Sequence, residues 1–352
     1  MKITDFSKFA IIQTAFLGDV ALTLPLADAI RRAHPTAEIH CITTPAAGAI
    51  AECSTSIDCV HIFDKRNIHK SLDGSRAFAR NIRQAGIDCV ISPHRSLRTT
   101  LLTRLIKPRL SIGFTKNACS WLYSKRVSYP INCHEVERNL RLLSVFDETR
   151  DLWTVPALRP TITIPEDDSL EILKLIAQFS SKQPATMIAI APGSVWATKR
   201  WNEEYFINAA TMLKNKGMTC VFIGGKEDER LCARLARVSG TTSIAARTSL
   251  IQTIEFLRHC SAIITNDSAP THLAWIAGCP TIAIFGPTSP MFGFAPREQN
   301  DIILENSTLT CRPCAIHGGK VCPIGTHECM KSITPEMVTR SVRDILNAKQ
   351  KA

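Results

Sequence analysis

The sequence predicts an α/β protein of two doubly wound parallel-sheet domains facing each other across a cleft. Three observations carry that prediction. Short apolar runs suited to buried strands alternate with amphipathic helical patterns along most of the 352 residues. The alternation breaks once, across the proline-rich stretch 153–165 and the polar stretch 180–184, and then restarts. The loops that follow several strands are rich in Gly, Ser, Asp and cations, at the carboxyl ends where ligands of such sheets bind.

The elements follow in order. Residues 9–14 read as the first strand and 18–34 as an amphipathic helix packed by Leu22, Leu24, Leu26, Ala27 and Ile30. A strand over 38–43, a helix near 46–52, a strand over 59–63, a helix over 71–85 and a strand over 89–92 complete the first set. Residues 167–179 form a helix. The second set has strands over 187–191 and 219–223, with helices over 203–216, 227–238 and 249–259. Ala262 to Thr265 is a buried strand. Asn266, Asp267 and Ser268 suit a helix N-cap and Pro270 its first turn. Gly278 and Pro280 end that helix, and 281–285 is the next strand. The domains are 1–165 and 166–330, each Rossmann-like. A last helix within 331–352 packs back on the first domain.

Composition bounds the function. Hydrophobic residues make up 45% of the chain, enough for two cores, and no apolar run reaches the roughly 20 residues of a membrane span. Lys2 and Lys8 precede an apolar stretch to Ala27, but Gly18 and Asp19 interrupt it. A first strand and helix therefore fit better than a signal peptide, and a cytoplasmic protein is expected. Net charge is +11, and residues 1–150 hold 21 Lys and Arg against 13 Asp and Glu. The basic excess lies in the first half, suited to a polyanionic partner or an anionic membrane surface. Of 14 cysteines, ten are scattered and read as small buried hydrophobes in a reducing compartment.

Five strand-end segments carry chemistry. Leu17-Gly18-Asp19-Val20 places a carboxylate at the first strand's end, either a helix cap or a base aimed into the cleft. Ser92-Pro-His94-Arg95-Ser96-Leu97-Arg98 sets an imidazole and two guanidiniums at the sheet edge, and His134 to Asn139, with Arg138, opens a helix. Pro192-Gly193-Ser194 to Thr198-Lys199-Arg200-Trp201 can wrap a phosphate with backbone, hydroxyl and two cations. Gly224-Gly225-Lys226-Glu227-Asp228 offers acids for ribose hydroxyls or for a helix dipole. Asp267, Ser268, Thr271 and His272 surround a helix N-terminus, a ready anion site. A separate run, Cys311-x2-Cys314-x7-Cys322-x6-Cys329 with His317 and His327 inside, has metal-site spacing, read either as a structural metal site or as reduced packed thiols.

These segments together resemble glycosyltransferase family 9, the lipopolysaccharide heptosyltransferases, and the second-heptosyltransferase branch in particular. The resemblance runs from the first strand to the cysteine loop and rests on Leu17 to Val20, Pro192 to Trp201 and Asn266 to Pro290. Ala269 stands where the family motif has glycine, which could limit how closely backbone and phosphate approach. The resemblance implies the GT-B arrangement and inverting transfer of heptose from ADP-heptose to the inner core of lipopolysaccharide. It makes Asp19 the catalytic base and Lys199 the pyrophosphate cation. The donor would meet Gly193, Ser194, Thr198, Arg200, Glu227, Asp228, Asp267, Ser268, Ala269, Thr271 and His272. The acceptor would meet Gly18, His94, Arg95, Arg98 and Arg138. No Asp-x-Asp occurs, so no divalent clamp and no required cofactor are expected, and a metal at Cys311, Cys314, Cys322 and Cys329 is not favoured. No nucleic-acid partner is implied. An amphiphilic acceptor implies transient contact with the inner face of the inner membrane. A nucleotide-sugar 2-epimerase of the same fold would leave the basic half unexplained. A non-catalytic metal- and polyanion-binding module would leave three phosphate-suited loops idle.

Overall fold

The computed structural model describes residues 1–147, 151, 159–179 and 186–351. The chain divides into two compact units, Met1–Thr163 and Ile164–Ala352. The boundary falls two residues before the position expected from the sequence. The polar stretch 180–184, read as part of the interdomain region, lies outside the described residues, as do 153–158 of the proline-rich stretch.

The first unit is a six-stranded parallel sheet of β1 Lys8–Ile12, β2 Glu38–Thr43, β3 Cys59–Ile62, β4 Cys89–Ser92, β5 Leu110–Phe114 and β6 Lys125–Val127. Its order is β3-β2-β1-β4-β5-β6. The central strands are apolar almost throughout because helices cover both faces. Ala10, Ile12, Ile42, Phe63, Phe78, Val90 and Leu102 form one side of the core. Phe6, Phe9 and Phe146 meet edge-to-face elsewhere in the unit, with centroids 5.9–6.4 Å apart.

The second unit repeats the plan with β7 Met187–Ala191, β8 Thr219–Phe222, β9 Thr242–Ser243, β10 Ala262–Asn266, β11 Thr281–Phe285 and β12 Ile302–Glu305, in the order β12-β11-β10-β7-β8-β9. Written from its own first strand, this is the same 3-2-1-4-5-6 order. Each sheet therefore has one switch point, between β1 and β4 in the first and between β7 and β10 in the second. Loops at those two points are where a doubly wound sheet opens to a ligand.

Several boundaries differ from the sequence reading, for local reasons. The helix expected over 18–34 is two, Leu17–Ala21 and Leu24–Ala33, and Pro25 opens the second. Strands β5, β6, β9 and β12 were not expected. They are short, and β6 and β9 hold polar residues at the sheet margins, so they carry little periodicity. The C-terminal helix Pro335–Lys351 is a correction. Val338, Val342 and Ile345 are buried in the core of the second unit with Trp201, Phe206 and Phe222, so the helix belongs to that unit. Among the described residues no helix is long and apolar enough to cross a membrane.

Candidate active site

In the second unit the two switch-point loops lock together through buried polar groups. Asn266, at the end of β10, is fully buried. Its Oδ1 accepts the Trp201 N–H at 3.0 Å and its Nδ2 donates to the Pro192 carbonyl at 2.8 Å. The Ser268 hydroxyl donates to the Gly193 carbonyl at 3.4 Å. Trp201 is itself fixed, its indole N–H donating to the Ile333 carbonyl at 2.9 Å and its ring edge-on to Phe206. The loop after β7 is thus held against the start of the helix Ala269–Ala277.

That helix start is open. Its N-cap is Ser268, and no side chain caps it. Among the described residues its first-turn N–H groups, carrying roughly half a positive charge with the dipole, therefore lack a side-chain acceptor. The Thr271 hydroxyl is buried and donates to the Asn266 carbonyl at 3.3 Å, so it holds the turn. His272 is 9% exposed, and burial pushes its imidazole down to about 4 against the pull of Asp267. It is a neutral ring at physiological pH, able to donate or accept one hydrogen bond.

Lys199 and Asp267 come together across the two loops. Lys199 Nζ lies 2.6 Å from Asp267 Oδ2, with side-chain exposures of 12% and 10%. Thr288 Oγ1 donates to the same carboxylate oxygen at 2.6 Å. Asp267 therefore orients the ammonium, and an incoming anion competes with it for that charge. Arg200 is exposed and donates from Nε to the Ser194 carbonyl at 2.8 Å. Among the described residues its Nη groups bond to nothing. Asp228 packs between Gly193 and Gly224. A Cβ at Gly193 would come within 2.3 Å of its carboxylate, and one at Gly224 within 2.7 Å of its Cβ. Glycine is required at both places by this close approach. Burial raises the Asp228 carboxyl above its ordinary value. Glu227 stays exposed at the rim.

In the first unit, Asp19 lies in the first turn of the helix Leu17–Ala21 that follows β1 and is half-buried. Its carboxylate accepts the Phe16 N–H at 3.1 Å, so it does cap the helix Leu17–Ala21. Burial, then the nearby Glu135 charge, raise its pKa to about 6, offset in part by that N–H and by Arg95. A carboxylate with that value is poised to exchange protons near neutral pH. Gly18 is buried beside it.

The loop after β4 lies at the same switch point. His94 Nδ1 is 2.8 Å from Thr99 Oγ1 and 3.0 Å from Thr14 Oγ1. Burial, Lys65 and Arg95 push its imidazole down to about 4, so it too is neutral. Arg95 is exposed and stacks over the Tyr129 ring, 3.8 Å from the centroid. Arg98 donates to the Lys65 carbonyl at 2.7 Å, and Lys65 donates to the Thr14 carbonyl at 2.5 Å. Arg138 differs from the other two arginines. It is 2% exposed, pairs with Glu135 at 2.9 Å and donates to the Tyr129 hydroxyl and the Pro130 carbonyl. Its guanidinium is committed inside the unit, where a buried ion pair satisfies both charges.

Lys65, Tyr129, Glu135, Thr288 and Arg312 join these sites without having been singled out from the sequence. Arg312 lies between Cys311 and Cys314 and is 5% exposed. It donates to the Gly286 and Thr288 carbonyls at 2.7 and 2.6 Å and pairs with Glu305 at 2.8 Å. The one available signal was the Gly-Pro-Thr-Ser loop of residues 286–289, which follows β11 and supplies Thr288.

The chain is similar to known proteins in sequence and in fold. Over 169 residues the chain is 31% identical to lipooligosaccharide heptosyltransferase 2 of Campylobacter jejuni, covering 46% of this chain and 51% of that protein. The chain thus spans about half the length of that relative. Two solved structures share the fold. One is the family 9 glycosyl transferase of Veillonella parvula, with a TM-score of 0.87 and 23% identity over 99% of this chain and 98% of that one. The other is ADP-heptose LPS heptosyltransferase II of Escherichia coli, with a TM-score of 0.80 and 20% identity over 97% and 99%. Residues 75–321 match the model of glycosyltransferase family 9 (heptosyltransferase), and the chain belongs to that family.

Proposed function

We propose that this protein is an inverting glycosyltransferase that moves heptose from ADP-heptose to the inner core of lipopolysaccharide or lipooligosaccharide. The observation that carries the reading is the pair of interlocked loops at the second switch point. An uncapped helix N-terminus, Ser194 and a cation held ready by Asp267 together suit a diphosphate. Family membership and the named relatives supply the sugar and the acceptor.

In this reading Lys199 leaves Asp267 for the donor diphosphate. Thr288 keeps a hydrogen bond on the vacated carboxylate. Lys199 and the helix start then stabilise charge growing on the departing ADP. Asp19 takes the proton from the acceptor hydroxyl as that oxygen bonds to the anomeric carbon. The carbon–oxygen bond to ADP breaks with inversion, its electron pair departing on the diphosphate, and Asp19 is left protonated. Arg95, Arg98 and Lys65 give the first unit cations for an acceptor bearing phosphate or carboxylate. The acceptor brings the protein transiently to the inner face of the inner membrane.

Calorimetric titration with ADP, UDP and NAD, without added divalent metal, tests the donor half. Saturable ADP binding, weakened in Lys199→Ala, is expected. A folded sample that binds no nucleotide would overturn it. Transfer of heptose from ADP-heptose to heptose-deficient core, unchanged by added magnesium or manganese, tests the rest.

A further inference from the structure

The edge of the first sheet carries a polar cluster that neither switch point uses. Glu38 and His40 lie two residues apart on β2, and Cys59 and His61 two residues apart on β3. The register sets His40 beside Cys59 and Ile42 beside His61, so all four side chains project from one face. Further along that face Ala10, Ile12, Ile42 and Phe63 belong to the apolar core. Potential ligand atoms of Glu38, His40 and Cys59 all lie within 4.8 Å of one another, and no other three His, Cys, Asp or Glu side chains do so among the described residues. Ligand atoms around one tetrahedral zinc ion stand roughly 3.3–3.6 Å apart, since each lies about 2.0–2.3 Å from it. A small adjustment of side chains on two hydrogen-bonded strands therefore closes the set.

The surrounding groups are those a metal site places around its ligands. His40 is 2% exposed. Its Nε2–H donates to Glu38 Oε1 at 2.8 Å, and its Nδ1 lies 2.8 Å from His61 Nε2. The two rings are parallel, with centroids 5.1 Å apart. With Nε2 on an ion, Nδ1–H donates to His61 instead, and that bond keeps the ring in its orientation. Lys8 Nζ pairs with Glu38 Oε2 at 2.7 Å. It supplies the positive charge the carboxylate needs, on a side chain exposed enough to swing into water. Cys59 is exposed on β3, the edge strand, so an ion reaches the cluster from solvent.

We infer that Glu38, His40 and Cys59 bind one zinc(II) ion, with water in the fourth position and His61 as the outer partner of His40. A carboxylate, an imidazole and a thiolate together suit zinc, whereas magnesium and calcium take oxygen ligands. Binding displaces Lys8 from Glu38 and the proton from the Cys59 sulfur. Glu38 and Cys59 are the first residues of their strands, and the loops of the first switch point follow the carboxyl ends. The ion therefore fastens the edge strand and stands apart from the candidate active site.

The test is titration of the reduced, metal-stripped full-length chain with zinc(II) by calorimetry and with cobalt(II) by absorption. The parent should hold one more ion per chain than the double variant Glu38→Gln with Cys59→Ser, and should show a stronger thiolate-to-cobalt charge-transfer band. Ions held by cysteines elsewhere count equally in both proteins, so equal stoichiometry overturns the site. A parent that binds no ion also overturns it, and that arm needs no variant to fold. Two further variants separate a metal site from a plain ion-pair network. Lys8→Met removes the competitor and should tighten zinc about twofold to fivefold. His61→Ala removes the outer partner and should weaken zinc about tenfold to a hundredfold. Zinc binding that Lys8→Met leaves unchanged or weakens, or that His61→Ala leaves unchanged, overturns this ligand set.

Discussion

The two units have the same strand order and opposite chemistry at the same place. At the first switch point a carboxylate is lifted to about 6 by burial and a neighbouring acid, with neutral His94 and exposed Arg95 beside it. At the second, a lysine is paired at 2.6 Å with a carboxylate and an uncapped helix start stands next to it. One fold supplies the location twice, and loop residues decide which groups stand there, an acid in the first unit and a paired cation beside a helix start in the second. In the first unit burial and the Glu135 charge raise the proton affinity of the acid. The second keeps its cation paired with Asp267, so in the proposed function an anion must compete with that carboxylate for it.

The comparison can be broken at its strongest point by Asp19→Asn, which should lower turnover about 10²–10⁴-fold, as loss of a general base does. Arg138→Ala tests what surrounds that acid. Removing the guanidinium leaves Glu135 buried and unpaired, and should destabilise the protein by about 3–5 kcal/mol in denaturant unfolding. In protein that still folds, the freed Glu135 charge should raise the Asp19 pKa further and move the acid limb of the activity profile to higher pH.

On the second unit, Lys199→Ala should weaken ADP about tenfold or more, the scale of a charge-assisted hydrogen bond, and should also cost about 1–3 kcal/mol of stability, because the mostly buried Asp267 keeps only the Thr288 hydrogen bond. The acidic limb of turnover sharpens the contrast. Asp19 must be ionised to accept a proton, so activity should fall through pH 6, about tenfold per unit below it. ADP affinity should follow only the titration of the nucleotide's own terminal phosphate, at about 6, because His272 is already neutral down to about 4. The smallest effect is expected at Glu227, exposed at the rim, where alanine should change ADP affinity about twofold or less.

Much of this arrangement was legible in the sequence. The buried central strands announced themselves because a strand covered on both faces is apolar throughout, as in 187–191 and 262–265. The loops at both switch points were visible as Gly, Ser and Asp set directly behind those strands. What was not legible is which polar groups are already spent. Arg138 looks like Arg95 in the sequence, yet it is closed in by Glu135, Tyr129 and Pro130. Thr198 and Thr271 are committed to backbone, and Asp267 to Lys199 and Thr288. These pairings join residues up to 121 positions apart, beyond any local pattern. The marginal strands and the C-terminal helix were misread for the same reason, since their partners lie far along the chain.

The division of labour between the units is tested most directly by measuring ADP affinity and turnover together in Asp19→Asn and Lys199→Ala. The account predicts a crossed result. Asp19→Asn should bind ADP within about twofold of the parent while turnover falls at least about a hundredfold, and Lys199→Ala should lose ADP affinity. Loss of ADP affinity in Asp19→Asn, or unchanged turnover in that variant, would contradict it.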